Sequence, residues 1–76
     1  MNGERRKKLE RALELIGEAK SIVEEIKGEE EESFEAMPES MQSGEKGEKA
    51  TAGIDALGEA MDSLDSAIDL IDTAKE

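Results

Sequence analysis

Through the first half of the chain the apolar positions Leu9, Ala12, Ile16, Ala19, Val23 and Ile26 advance in alternating steps of three and four. That is the spacing of a helix with one seam turned to a partner helix. Leu13, Leu15 and Ile22 widen the seam on both sides, so the apolar sector covers roughly half the circumference by the 3.6-residue period. One partner covers a narrower stripe than that. Burial against at least two neighbours follows, and with it oligomerisation. The stretch from about 3 to 36 lacks proline and is rich in Glu, Lys, Arg, Leu and Ala, which favours one long helix. After Gly28 the run Glu29-Glu30-Glu31-Glu32 interrupts the seam with like charges at close helical spacing. It reads as a solvated stretch of the same helix, with a bend at Gly28 left open; a surface for a cation or a basic partner is the alternative. Phe34, Met37 and Met41 then restore apolar character and close the end of the core.

The second half repeats the pattern more cleanly. Ile54, Leu57, Met61, Leu64, Ile68 and Ile71 form the seam, and Ala60, Ala67 and Ala74 run beside it at intervals of seven. A helix from about 44 to 75 is predicted, with the alanine row permitting close approach of another helix. Gly47, Gly53 and Gly58 disfavour a helix interior by ~1 kcal/mol each relative to alanine, which points to close packing or local flexibility there.

Between the arms lies the only proline, Pro38, which disfavours a helical conformation at Met37. The bend is placed at 37–43, with a short helical turn from Pro38 to Gln42 and Ser43 as N-cap of the second helix. The resulting fold is all-α. It is a single domain over 1–76, an antiparallel hairpin of two long helices assembling into an oligomeric helical bundle. The pivot sets Leu9 near Ile71, Ile16 near Leu64 and Val23 near Leu57. The same register brings Lys8 and Arg11 beside Asp69 and Asp72, offsetting charges that oppose their own helix dipoles. An anionic ligand at the basic end is the alternative.

Composition narrows the chemistry. Of 76 residues none is Cys, His, Trp or Tyr, and Phe34 is the single aromatic. No disulfide, thiolate metal site or imidazole base is available, and base-stacking platforms for nucleic acid are missing. An enzyme is not expected, and neither a cofactor nor a metal. A formal net charge of −11 repels nucleic acid and anionic membranes at long range. Most such charge is a solvated surface, although an acidic face can also imitate the phosphates of DNA. No apolar run approaches the ~20 residues of a membrane span and nothing reads as a signal peptide, so a cytoplasmic protein is expected. Gly44-Glu45-Lys46-Gly47 lacks the spacing of a phosphate loop, and the aspartates of the second arm do not follow the EF-hand series.

The basic start Glu4-Arg5-Arg6-Lys7-Lys8-Leu9-Glu10, the stretch Phe34-Glu35-Ala36-Met37-Pro38-Glu39-Ser40-Met41-Gln42, and Gly44-Glu45-Lys46-Gly47-Glu48 before an Ala/Leu/Ile/Asp-rich helix carry a resemblance over nearly the whole chain. In these residues the chain resembles small uncharacterised helical proteins of bacteriophages and prophages of Gram-positive bacteria. The Phe-x-x-x-Pro-Glu-Ser-x-Gln bend is its most specific part. The resemblance implies a non-enzymatic binding protein of phage origin, within the bacterial host, acting against antiviral defence. The leading expectation is sequestration of a small anionic nucleotide at oligomer interfaces. The residues proposed for it are Arg5, Arg6 and Lys8 of one subunit meeting Phe34, Pro38, Glu39, Ser40, Gln42 and Ser43 of another. The alternatives are an acidic inhibitor or DNA mimic that blocks a host defence protein, and a structural oligomer with no ligand. For all three, Leu9, Leu13, Ile16, Val23, Ile26, Ile54, Leu57, Met61, Leu64, Ile68 and Ile71 are the expected core and oligomer contacts.

Overall fold

A computed structural model describes residues 1–76 as three helices: α1 (Gly3–Glu35), α2 (Glu39–Gln42) and α3 (Glu45–Ala74). α1 and α3 pair along their lengths as an antiparallel hairpin, and the molecule measures 58 × 15 × 11 Å. Helix α1 is continuous through Gly28. Neither long helix is apolar enough to cross a membrane.

Each long helix begins where its first-turn donors find partners. The Asn2 side chain accepts from the Arg5 amide at 2.8 Å and caps α1. α3 starts instead from Gly44, whose extended backbone is the N-cap without any side-chain hydrogen bond. Ser43, expected as that cap, belongs to the preceding turn: its Oγ donates to the Glu39 carbonyl at 3.2 Å. The proline ends α1 as its chemistry requires, with Pro38 outside the helix and its carbonyl accepting from Met41 and Gln42 to start α2.

The bend is tight because of one glycine. Gly47, in the first turn of α3, is the only buried residue in the chain. A Cβ there would collide with the backbone of Gln42, so α2 lies directly against α3 only because position 47 has no side chain. A Cβ at Gly58 would meet only the Lys27 stem, at an ordinary contact distance of 3.5 Å. Gly53 and Gly28 face open space.

The inter-helix seam of α3 runs through Ala50, Ile54, Leu57, Met61, Leu64, Ile68 and Ile71, all half-buried, as the spacing predicts. The seam of α1 differs from the expected one. The half-buried seam residues are Arg6, Leu9, Leu13, Ile16, Lys20, Val23, Lys27 and Phe34, with Ala12, Gly17 and Glu31 half-buried beside them, whereas Ala19 and Ile26 of the expected row are exposed. The apolar sector of α1 is wide enough to hold two rows at helical spacing, and the hairpin uses the row containing two lysines. Lys20 and Lys27 lay their aliphatic stems in the seam and carry their ammonium groups out of it. No hydrophobic residue is fully buried.

Gly47→Ala is expected to destabilise the bend by about 1–3 kcal/mol, because backbone rather than a flexible side chain occupies the space. Gly28→Ala is expected to stabilise by roughly 0.5–1 kcal/mol, as nothing opposes the added methyl and helix propensity favours it. Thermal unfolding followed by circular dichroism at one fixed protein concentration checks the pair.

Candidate functional site

The rows flanking the seams give the molecule two unlike sides. The row that follows the seam carries Glu10, Glu14, Glu24, Glu31 and Glu35 on α1, and Glu48, Asp55, Asp62, Asp65, Asp69 and Asp72 on α3, interrupted by Lys7, Gly17, Ser21, Gly28, Thr51 and Gly58. Two helices facing each other in opposite directions are related by a two-fold axis normal to their common plane, and that operation keeps each row on its own side. Both acidic rows therefore share one side of the hairpin. A shallow notch on this side is lined by Glu31 and Glu35 of α1 and Thr51 of α3, over a floor of the seam residues Phe34 and Ile54.

The seam lysines serve this acidic side. Lys20 Nζ reaches Asp65 Oδ1 at 2.6 Å, the one ion pair that links the two long helices. Lys27 Nζ binds Glu31 Oε1 at 2.6 Å within α1. Hydrogen bonding to Asp65, and then its charge, raises the Lys20 pKa above the ordinary lysine value; Glu31 acts likewise on Lys27. The remaining ion pairs, Arg11–Glu14, Lys49–Glu45 and Lys75–Asp72, are local to one helix or its end. The expected pairing of Lys8 and Arg11 with Asp69 and Asp72 is not formed. Arg11 turns to Glu14 one turn along its own helix. The termini are tied by Arg6, whose guanidinium donates to the carbonyls of Lys75 at 2.7 Å, Glu76 at 3.4 Å and Met1 at 3.0 Å. The Lys75 and Glu76 oxygens follow the last turn of α3, where a helix end leaves acceptors that a cation satisfies well, while that of Met1 precedes α1.

Within one chain the residues expected to hold an anionic ligand lie at opposite ends of the 58 Å molecule. Arg5, Arg6 and Lys8 open α1, while Phe34, Pro38, Glu39, Ser40, Gln42 and Ser43 surround the bend. Much of the bend's polarity has a structural use. Gln42 Nε2 donates to the carbonyls of Phe34 at 3.0 Å and Met37 at 3.1 Å, closing the C-terminal end of α1. The turn thus uses Gln42 as a cap. Glu39 and Ser40 stay exposed, and Phe34 is half-buried in the notch. Arg5 and Lys8 have no carboxylate within ion-pair distance. No three acidic side chains converge in a geometry that could hold a metal ion.

Sequence reasoning passed over Lys20 and Lys27 because it followed apolar residues alone. The signal for them is that Leu9, Leu13, Ile16, Lys20, Val23 and Lys27 keep the same alternating steps as the apolar row. It passed over the notch because the Glu29–Glu32 run was taken as one block, either solvated or facing a basic partner. In the helix, Glu31 turns to the seam's edge and its neighbours do not.

Gln42→Ala is expected to cost ~1 kcal/mol, because the Met37 carbonyl loses its donor while that of Phe34 keeps the Met37 amide, read as a lowered melting temperature with unchanged helix content at low temperature. Because the Lys20 pKa is raised on folding, its contribution is complete below the unfolded lysine value of about 10.4 and is lost as pH rises through the folded value. Melts between neutral pH and the alkaline range are therefore expected to fall more steeply for the native chain than for Lys20→Met, which keeps the stem and lacks the charge. Comparison with protein families, with curated proteins and with solved structures finds no match for this chain.

Proposed function

We propose that this chain is a non-enzymatic binding protein whose acidic side engages a basic surface of another protein, in the setting its resemblance to phage proteins implies: occupation of a host defence protein. The observation that carries this reading is the notch on the acidic side. Glu31 and Glu35 rim it, and Phe34 and Ile54 floor it. A lysine or arginine side chain has the complementary form, an apolar stem ending in a cation that pairs with the carboxylates and lies over the ring. Along the rest of that side lie Asp55 and then, two turns on, Asp62, Asp65, Asp69 and Asp72 at steps of three or four residues. They give a long negative strip that steers a basic partner toward the notch.

Sequestration of a small anionic nucleotide is the second reading. Arg5 and Lys8 favour it, because both are exposed and neither has a carboxylate partner. It requires them to meet the bend of another subunit, since the two groups of residues lie at opposite ends of one chain.

One titration separates the two. A fluorescent oligo-arginine peptide is expected to bind the native chain with an affinity that falls steeply with added salt. Glu31→Gln with Glu35→Gln is expected to weaken binding roughly tenfold, the loss of one well-placed charged contact. Arg5→Ala with Lys8→Ala is expected to leave it unchanged. Peptide binding indifferent to the notch would remove the first reading. A nucleotide-sized adduct in native mass spectra, lost in the Arg5/Lys8 variant, would establish the second.

A further inference from the structure

The side of the hairpin opposite the acidic rows has the reverse character. The positions immediately preceding the α1 seam read Arg5, Lys8, Ala12, Leu15, Ala19, Ile22, Ile26 and then Glu29. Those preceding the α3 seam are mostly small, from Gly53 through Ala67, with Leu70 as the one large residue. By the same two-fold argument these rows share one side. They form a continuous apolar strip on which Ile22 is 60% exposed and Leu70 71% exposed. Chain-wide, no hydrophobic residue is buried, so the hairpin leaves uncovered the surface on which a helical domain of this size depends.

We propose that this strip is covered by a second copy of the chain, turned by a two-fold axis that crosses α1 at Ala19, so that each α1 lies antiparallel on its partner's α1. The α1 row is self-complementary about that point. Reversed on itself it sets Leu15 opposite the partner's Ile22, Ala12 opposite the partner's Ile26, and Ala19 opposite the partner's Ala19. The smallest side chains then fall at the crossing, where two helices approach most closely. At the strip's ends the same reversal sets Lys8 opposite the partner's Glu29, so the charges that bound the apolar segment pair across the interface.

α3 accepts the same axis. The cross-helix contacts Arg6 to Lys75 and Lys20 to Asp65 place Ala19 level with the turn 62–66 of α3. The preceding row there is Ser63, flanked by Ala60 and Ala67, and nothing in it obstructs an approaching helix. From Lys8 to Glu29 the strip covers about 30 Å of helix at 1.5 Å per residue, and two helices give it a width of roughly 20 Å. That footprint, roughly 600 Å² per partner, lies at the lower end of the roughly 600–1,000 Å² a side that stable interfaces bury. The acidic rows stay on the outer faces of the four-helix assembly, where −11 per chain is best solvated. The antiparallel arrangement also brings Arg5 and Lys8 of one subunit toward the bend end of the other.

The chain has no native cysteine, which makes cross-linking clean. Oxidised Ala19→Cys is expected to give a disulfide-linked dimer that keeps full helix content, whereas Glu18→Cys, on the outer face, is expected to stay uncrosslinked. Lys8→Glu is expected to weaken dimerisation roughly tenfold by sedimentation, and adding Glu29→Lys to the same chain to restore it. Equal cross-linking at positions 18 and 19, or no recovery in the charge-exchanged chain, would overturn the arrangement. A chain that stays monomeric and instead binds vesicles of anionic lipid, losing this with Ile22→Asp, would give the strip to a membrane surface and overturn the dimer.

Discussion

Two helices in contact cover one narrow stripe of each, and α1 carries more apolar surface than one stripe holds. Every other feature of the molecule answers to that constraint. The hairpin must use one row of α1 and leave the neighbouring row in water. It uses the row in which Lys20 and Lys27 alternate with Leu13, Ile16 and Val23, and leaves out Leu15, Ile22 and Ile26. A lysine tolerates such a position because its stem is apolar and its charge can leave the seam. The partners that receive the charge, Asp65 and Glu31, sit on the side that carries the acid. Choosing the lysine row thus fixes which side of the hairpin is acidic and which is apolar.

The antiparallel turn then multiplies the effect. Rows that flank the seams on separate helices add on the same side, so two modest amphipathic helices become one object with a strongly negative side and an apolar one. The bend that enforces this is small and polar. Gly47 lets α2 come onto α3, Gln42 closes the end of α1, and Pro38 stops α1 and starts α2. Arg6 performs the matching task at the far end by binding the last carbonyls of the chain. Electrostatic features that look available for a ligand are therefore divided. Gln42, Arg6 and Lys20 are committed to the fold, with Asp65 and Glu31 paired to the seam lysines, while Arg5, Lys8 and the rest of the acidic rows remain exposed.

Helix positions and the bend were legible in the sequence because proline, glycine and the three-four spacing act locally. The seam of α3 was legible too, since Ile54 through Ile71 offers a single row of large side chains. The seam of α1 was not. Two rows compete on that helix, and the choice is made by α3 and the turn, which local periodicity does not contain. Ser43 was read as a cap for α3 because hydroxyl residues favour that position. Its hydroxyl bonds backward to Glu39 instead, and Gly44 opens the helix with bare backbone. Of the residues expected at a ligand site, Gln42 and Arg6 were recognisable as unusual, but the same polarity serves either a ligand or an unpaired carbonyl. Only their partners distinguish the two.

Since the apolar strip goes uncovered in a single hairpin, folding and association should be one process. Helix content measured by far-ultraviolet circular dichroism across a thousandfold dilution tests this most directly. If the strip is what completes the fold, helicity and melting temperature fall together as the protein is diluted. A melting temperature that is high and the same at every concentration would mean that the hairpin is stable alone, contradicting the view that its two rows of apolar residues are both needed.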